Sequence, residues 1–76
     1  MQQKIGVTTR ALIQRINRKL KYQDEAMRAT RGERARQDYG DYFIVSNRNE
    51  IVDWHVDPEE RARELGVMAD WEVVAP

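Results

Sequence analysis

The chain has 76 residues, no cysteine, and 13 Lys/Arg balanced by 13 Asp/Glu. That length fits one domain, spanning 1–76, with a thin stability margin, since so short a chain buries only about 60–65% of its unfolded surface. The composition excludes disulfides and thiolate zinc sites, and no apolar run approaches membrane-spanning or signal-peptide length, so a cytoplasmic location without membrane contact is expected.

The zero net charge hides a split. From Met1 to Asp38 there are ten Lys/Arg against four Asp/Glu, and from Tyr39 to Pro76 three against nine, so the halves carry +6 and −6. Such asymmetry points to a polyanion-binding face. The plainer alternative is that the halves attract each other, within one fold or between two copies.

The first organised stretch runs from Thr8 to about Tyr22, TTRALIQRINRKLKY. Thr8 or Thr9 can cap a helix by accepting from an orphan backbone N–H. Leu12, Ile13, Ile16 and Leu20 then fall within an arc of about 100°, the width of a core-facing stripe. Arg10, Arg15, Arg18, Lys19 and Lys21 lie outside it, so the spacing predicts an amphipathic helix with a basic outer face.

Gln23 to Asp38 leaves two readings open. QDEAMRAT favours a helix capped by Asp24 and ended by Gly32. A short strand with Met27 inward and arginines outward is the rival. Next, DYFIVS and EIVDWHV flank NRN, two runs of aromatic and β-branched residues around turn chemistry, which predicts an antiparallel hairpin over Asp41 to Val56. On its second strand Val52, Trp54 and Val56 form the expected core face; Ile51, Asp53 and His55 form the other. The first strand is apolar on both faces.

DPEERARELGV, Asp57 to Val67, reads as a short helix. Asp57 caps it, Pro58 takes the first position, Glu59 and Glu60 sit at the positive end, and Gly66 stops it, with Ala62 and Leu65 inward. The tail MADWEVVAP holds Met68, Trp71, Val73 and Val74, which are expected to dock rather than stay exposed. The fold expected is α+β: an N-terminal amphipathic helix, a small antiparallel sheet built on one hairpin, a short second helix and a docked tail. Two strands make a marginal sheet, so a third is expected from residues 25–31, from the tail, or from a second copy.

Little in the chain speaks for catalysis. His55, the only histidine, stands in a D-x-H-x-D pattern with Asp53 and Asp57, but Asp57 is better used as a cap and no further ligand is in view. Ser46 is the sole serine, and the four glycines are isolated, so there is no phosphate-cradling loop. No enzyme, metal site or cofactor is expected.

The basic residues carry the sharper hypothesis. Arg10, Gln14, Arg18 and Lys21 neighbour one another on the outer side of the first helix, and Arg28, Arg31, Arg34 and Arg36 follow in RATRGERARQD. Guanidinium forks suit phosphate, and Tyr22 and Tyr39 flank the cluster as stacking platforms. Neither a helix nor a strand lines all four later arginines on one face. The function expected is non-catalytic accessory or regulatory binding of nucleic acid, DNA or RNA, through these eight residues. The alternative is a protein-interaction or homodimerisation module using the acidic second half (Asp53, Asp57, Glu59, Glu60, Glu64, Asp70, Glu72) and its two tryptophans.

LIQRINRKL, RGERARQDYGDYFIV and VDWHVDPEERARELGV together resemble a group of small uncharacterised proteobacterial proteins that travel with plasmids and integrated elements. The likeness covers about Leu12 to Trp71. That group has no assigned activity, so the resemblance implies no site residue; it implies a bacterial cytosolic accessory protein linked to mobile DNA.

Overall fold

Thr8 sets the first helix. Its hydroxyl accepts from the Ala11 N–H at 3.1 Å, and the twelve residues after it carry the apolar stripe at the centre of the core. In the computed structural model, which describes residues 4–75, the chain runs β1 (Ile5–Val7), α1 (Thr9–Leu20), a 3-10 turn (Lys21–Gln23), β2 (Glu25–Ala29), α2 (Glu33–Tyr39), β3 (Tyr42–Ser46), β4 (Ile51–Asp53), α3 (Pro58–Glu64) and β5 (Glu72–Val74). This is an α+β fold with an antiparallel three-stranded sheet ordered β2-β3-β4 and a separate parallel pair, β1-β5.

Leu12, Ile16 and Leu20 are fully buried. They meet Met27 of β2 and Ile44 of β3, which face each other in register, together with Val56, Ala62 of α3, Met68 and Val7. Full burial of each large aliphatic side chain is worth about 1.5–3 kcal/mol. α3 forms as expected. The Asp57 carboxylate accepts from the Glu59 N–H at 3.0 Å. At the other end the Val67 N–H reaches the Ala62 carbonyl at 2.9 Å and the Gly66 N–H reaches the Arg63 carbonyl at 3.1 Å, the paired bonds of a Schellman stop.

The structure decides one open reading and corrects three expectations. First, of the two readings left open for Gln23 to Asp38, Glu25–Ala29 takes the strand, with Met27 inward, and it supplies the expected third strand of the sheet from residues 25–31. Asp24 adopts a left-handed conformation (φ 57°) that closes the 3-10 turn instead of capping a helix. A helix there would have offered the core little besides Met27, whereas a strand seats Met27 against Ile44. Second, Gly32 begins a helix instead of ending one: Arg34 and Arg36 lie on α2, none of whose residues is fully buried. With no apolar stripe, nothing in the spacing predicts it.

Third, the expected core face of the second hairpin strand holds only at Val56, which is buried in the core. Val52 is 46% exposed and Trp54 55% exposed, while Ile51 pairs with Val45, Asp53 pairs with Ile44, and the register shifts between them. The irregularity interrupts the alternation that the hairpin pattern implied. Fourth, the tail docks as β5 alongside β1, with Gly6 opposite Val73, but Trp71 stays 49% exposed. β1 itself has three residues and no alternation long enough to recognise.

Candidate nucleic-acid interface

On α1 the stripe that faces the core dictates what faces outward. Arg10, Gln14 and Arg18 follow one another at four-residue steps, about 6 Å of rise each, on the side opposite Ile16. All three are exposed, and Lys21 continues the row from the start of the 3-10 turn.

None of these cations is answered by a carboxylate. Among the described residues, Arg10, Arg18, Lys19, Lys21, Arg28, Arg31, Arg34 and Arg36 take part in no ion pair. The acidic half instead pairs mostly with itself: Arg61 holds Asp53 and Glu64, and Arg63 holds Glu59. Among the described residues, the one ion pair between the halves is Arg15 to Glu72, at 2.9 Å. Beyond that pair, the opposite charges of the two halves are not joined in ion pairs among these residues.

The second set of arginines lies elsewhere. Arg28 alternates with Met27 on β2, so its side chain leaves the sheet on the face away from α1. Arg31 sits in the connection after β2. Arg34 and Arg36, two apart on α2, point to nearly opposite sides of that helix. All four are exposed. Of the eight predicted residues, four thus form a row along α1, and the other four are spread over β2, the connection after it and α2. Lys21 and Arg28 alone line a common groove, about 380 Å³, at the end of the β2-β3 ladder, where Asp24 and Glu25 line it too and offset the local charge.

Of the flanking tyrosines, Tyr39 packs on Phe43 with ring centroids 6.4 Å apart and planes tilted by 50°. Tyr22 is 89% exposed. With Arg15, Arg18, Lys19 and Val67 it lines a second open groove of about 350 Å³. Lys19 and Val67 were outside the predicted site. The first could have been found, because Arg18 and Lys19 precede Tyr22 by four and three residues; Val67 could not, because it arrives from the far end of α3.

Arg15 has a structural task. Its Nη1 donates to both Glu72 oxygens, at 3.0 and 2.9 Å, and to the Val67 carbonyl at 3.2 Å. Glu72 also accepts from the Ala69 N–H at 2.8 Å. That backbone bond first, and the Arg15 guanidinium second, hold the Glu72 carboxyl below its ordinary value.

The D-x-H-x-D pattern does not share a strand face. β4 ends at Asp53, His55 has φ 55°, Asp53 is engaged by Arg61, and Asp57 caps α3. Among the described residues no group of three His, Cys, Asp or Glu is gathered as a metal ion would need. Nor is any helix among them long and apolar enough to cross a membrane.

Comparison with protein-family models, curated proteins and solved structures finds no match. Function must be argued from these side chains. Chemically, a row of unpaired guanidinium and ammonium groups at helical spacing can bind an extended polyanion, and an exposed ring at its end can stack on a planar group.

Proposed function

We propose that the protein is a non-catalytic accessory or regulatory module that contacts nucleic acid, with the outer row of α1 (Arg10, Gln14, Arg18 and Lys21) as the principal surface and the Arg28 to Arg36 group as a second patch. The observation that carries this is the pairing pattern. Arg61 and Arg63 engage Asp53, Glu64 and Glu59 within the acidic half, while among the described residues the cations of the α1 row have no carboxylate partner. Phosphate backbones supply such partners at regular intervals. The resemblance to proteins of plasmids and integrated elements fits an accessory role beside DNA in a bacterial cytoplasm.

The test is a titration with a DNA duplex and with RNA at several salt concentrations. Binding through phosphates gives a slope of log affinity against log salt near −0.9 per contact on duplex DNA, so Arg10→Glu with Arg18→Glu should make that slope shallower by about two units. Absence of binding to either at about 50 mM salt would end the proposal for the isolated protein.

A second reading rests on Val52, exposed on the edge strand β4, and on Trp54, exposed just after it. An uncovered edge beside a large apolar side chain suits strand addition by a protein partner or a second copy. Sedimentation of the pure protein, with and without nucleic acid, separates the two.

A further inference from the structure

We propose that the groove at the C-terminal end of α1 binds one unstacked base of single-stranded nucleic acid, the base lying on the Tyr22 ring with its flanking phosphates on Arg18 and Lys19. This rests on the nucleic-acid function proposed above and narrows it to a strand form.

The argument starts from a side chain in the wrong solvent. A tyrosine ring is a large apolar surface, and Tyr22 leaves 89% of itself in water. The backbone that carries it is nevertheless fixed. Tyr22 is the middle residue of a 3-10 turn continuous with α1, closed when the Asp24 N–H reaches the Lys21 carbonyl at 3.1 Å. The backbone at Val67 is fixed as well, because Arg15 ties the Val67 carbonyl and the Glu72 carboxylate together. An exposed aromatic ring and the aliphatic Val67 side chain therefore line one open groove, each carried on an anchored stretch of backbone.

Charge decides the occupant. Of the three cations on the groove, Arg15 is neutralised by Glu72, whereas Arg18 and Lys19 have no acidic partner among the described residues. A ligand offering a flat π-face between two negative groups matches this arrangement, and a nucleotide within a strand has that form. In a duplex the base faces are covered by their neighbours, and only edges and phosphates are presented. The ring can be used only by a strand whose bases are free.

The experiment measures binding of the whole protein to a labelled strand of about ten nucleotides, to its duplex, and to a sugar-phosphate strand of equal length without bases. Tyr22→Ala should weaken binding of the ordinary strand roughly 5- to 150-fold, the span expected for loss of one base stack. Tyr22→Phe should bind like the unaltered protein. The strand without bases should already bind weakly and should not respond to Tyr22→Ala, and duplex affinity should not respond either. Because Tyr22 lies outside the core, circular dichroism should show both variants folded. The inference is overturned if Tyr22→Ala binds the ordinary strand undiminished, if the strand without bases binds equally tightly, or if an acidic peptide of the same charge binds as well with the same Tyr22 dependence. In the first two cases salt-dependent binding through the α1 row would still stand; if no strand and no duplex binds at low salt, both proposals fall.

Discussion

The side-chain amide of Asn17 pairs with the backbone of Met27 as a neighbouring strand would: Oδ1 accepts from the Met27 N–H at 2.6 Å, and Nδ2 donates to the Met27 carbonyl at 3.2 Å. β2 is an edge strand, and these two groups would otherwise be an unpaired donor and acceptor beside the core. One helical side chain thus fixes the register of α1 against the sheet and blocks the edge at the residue that carries the core. Asn17→Ala strands both groups. It should lower stability by about 1–3 kcal/mol, read as a lower urea midpoint with an unchanged slope. A midpoint within error of the unaltered protein would show that water replaces the amide without loss.

A second prediction concerns acid. The folded Glu72 carboxyl titrates below its ordinary value, held first by the Ala69 N–H and then by Arg15. A group whose folded value is depressed contributes stability that is fully present above its unfolded value and is lost as pH falls through the folded one. Stability should therefore fall as pH drops below the ordinary glutamate value of 4.5. Glu72→Gln should remove part of that fall while lowering stability at neutral pH. The check is the urea midpoint of both proteins from neutral pH down through the carboxylate range. Parallel profiles would mean that Glu72 contributes nothing to the acid dependence.

A third prediction turns on Gly40. Its backbone (φ 77°, ψ −171°) lies in a region that is essentially glycine's alone. A Cβ there would stand 2.8 Å from the His55 Cα and 2.8 Å from its Nδ1. His55 is held against it by an N–H donated to the Tyr39 carbonyl at 2.7 Å, so the chain cannot easily withdraw. Gly66 has φ 73° but open space around it. Gly40→Ala should therefore cost more than the roughly 1–3 kcal/mol of backbone strain alone, and Gly66→Ala about 1 kcal/mol. Thermal denaturation ranks the two; equal losses would refute the contact at His55.

The sheet shows why parts of the fold were legible and others were not. α1 and α3 announce themselves because their determinants are local: Thr8 and Asp57 cap, Leu12, Ile16 and Leu20 form a stripe, and Gly66 stops the chain. The orientation of β4 depends on a register shift against β3, which no pattern within β4 records, so Val52 and Trp54 look like core and are not. β1 and β5 are three residues each and meet only through distant pairing. The same division governs the candidate site. The α1 row follows from helical spacing, but the separation of Arg28 from that row required knowing that Glu25–Ala29 is a strand. This gives a plain test of the sheet. Trp54→Ala should change stability by no more than about 0.5 kcal/mol, whereas Ile44→Ala should cost about 2–5 kcal/mol. A large loss for Trp54→Ala would restore the face that the sequence pattern favours.

The last prediction follows from the separation of Arg28 from the outer row of α1 by the sheet. Arg10 and Arg18 project from the outer side of α1, whose inner stripe packs on the Met27 and Ile44 face, and Arg28 leaves the other face. A strand of about ten nucleotides bound along α1 should therefore not reach Arg31 and Arg34 at the same time. Reversing Arg10 and Arg18 to glutamate should weaken its binding steeply, and reversing Arg31 and Arg34 should leave it almost unchanged. On a nucleic acid long enough to wrap the domain, both double variants should lose affinity, and their losses should add, as expected of sites without shared partners. Anisotropy titrations with the short and the long ligand distinguish the cases. Equal losses from both double variants on the short strand would mean that the two groups act as one surface, and the separation inferred from the alternation of β2 would be wrong.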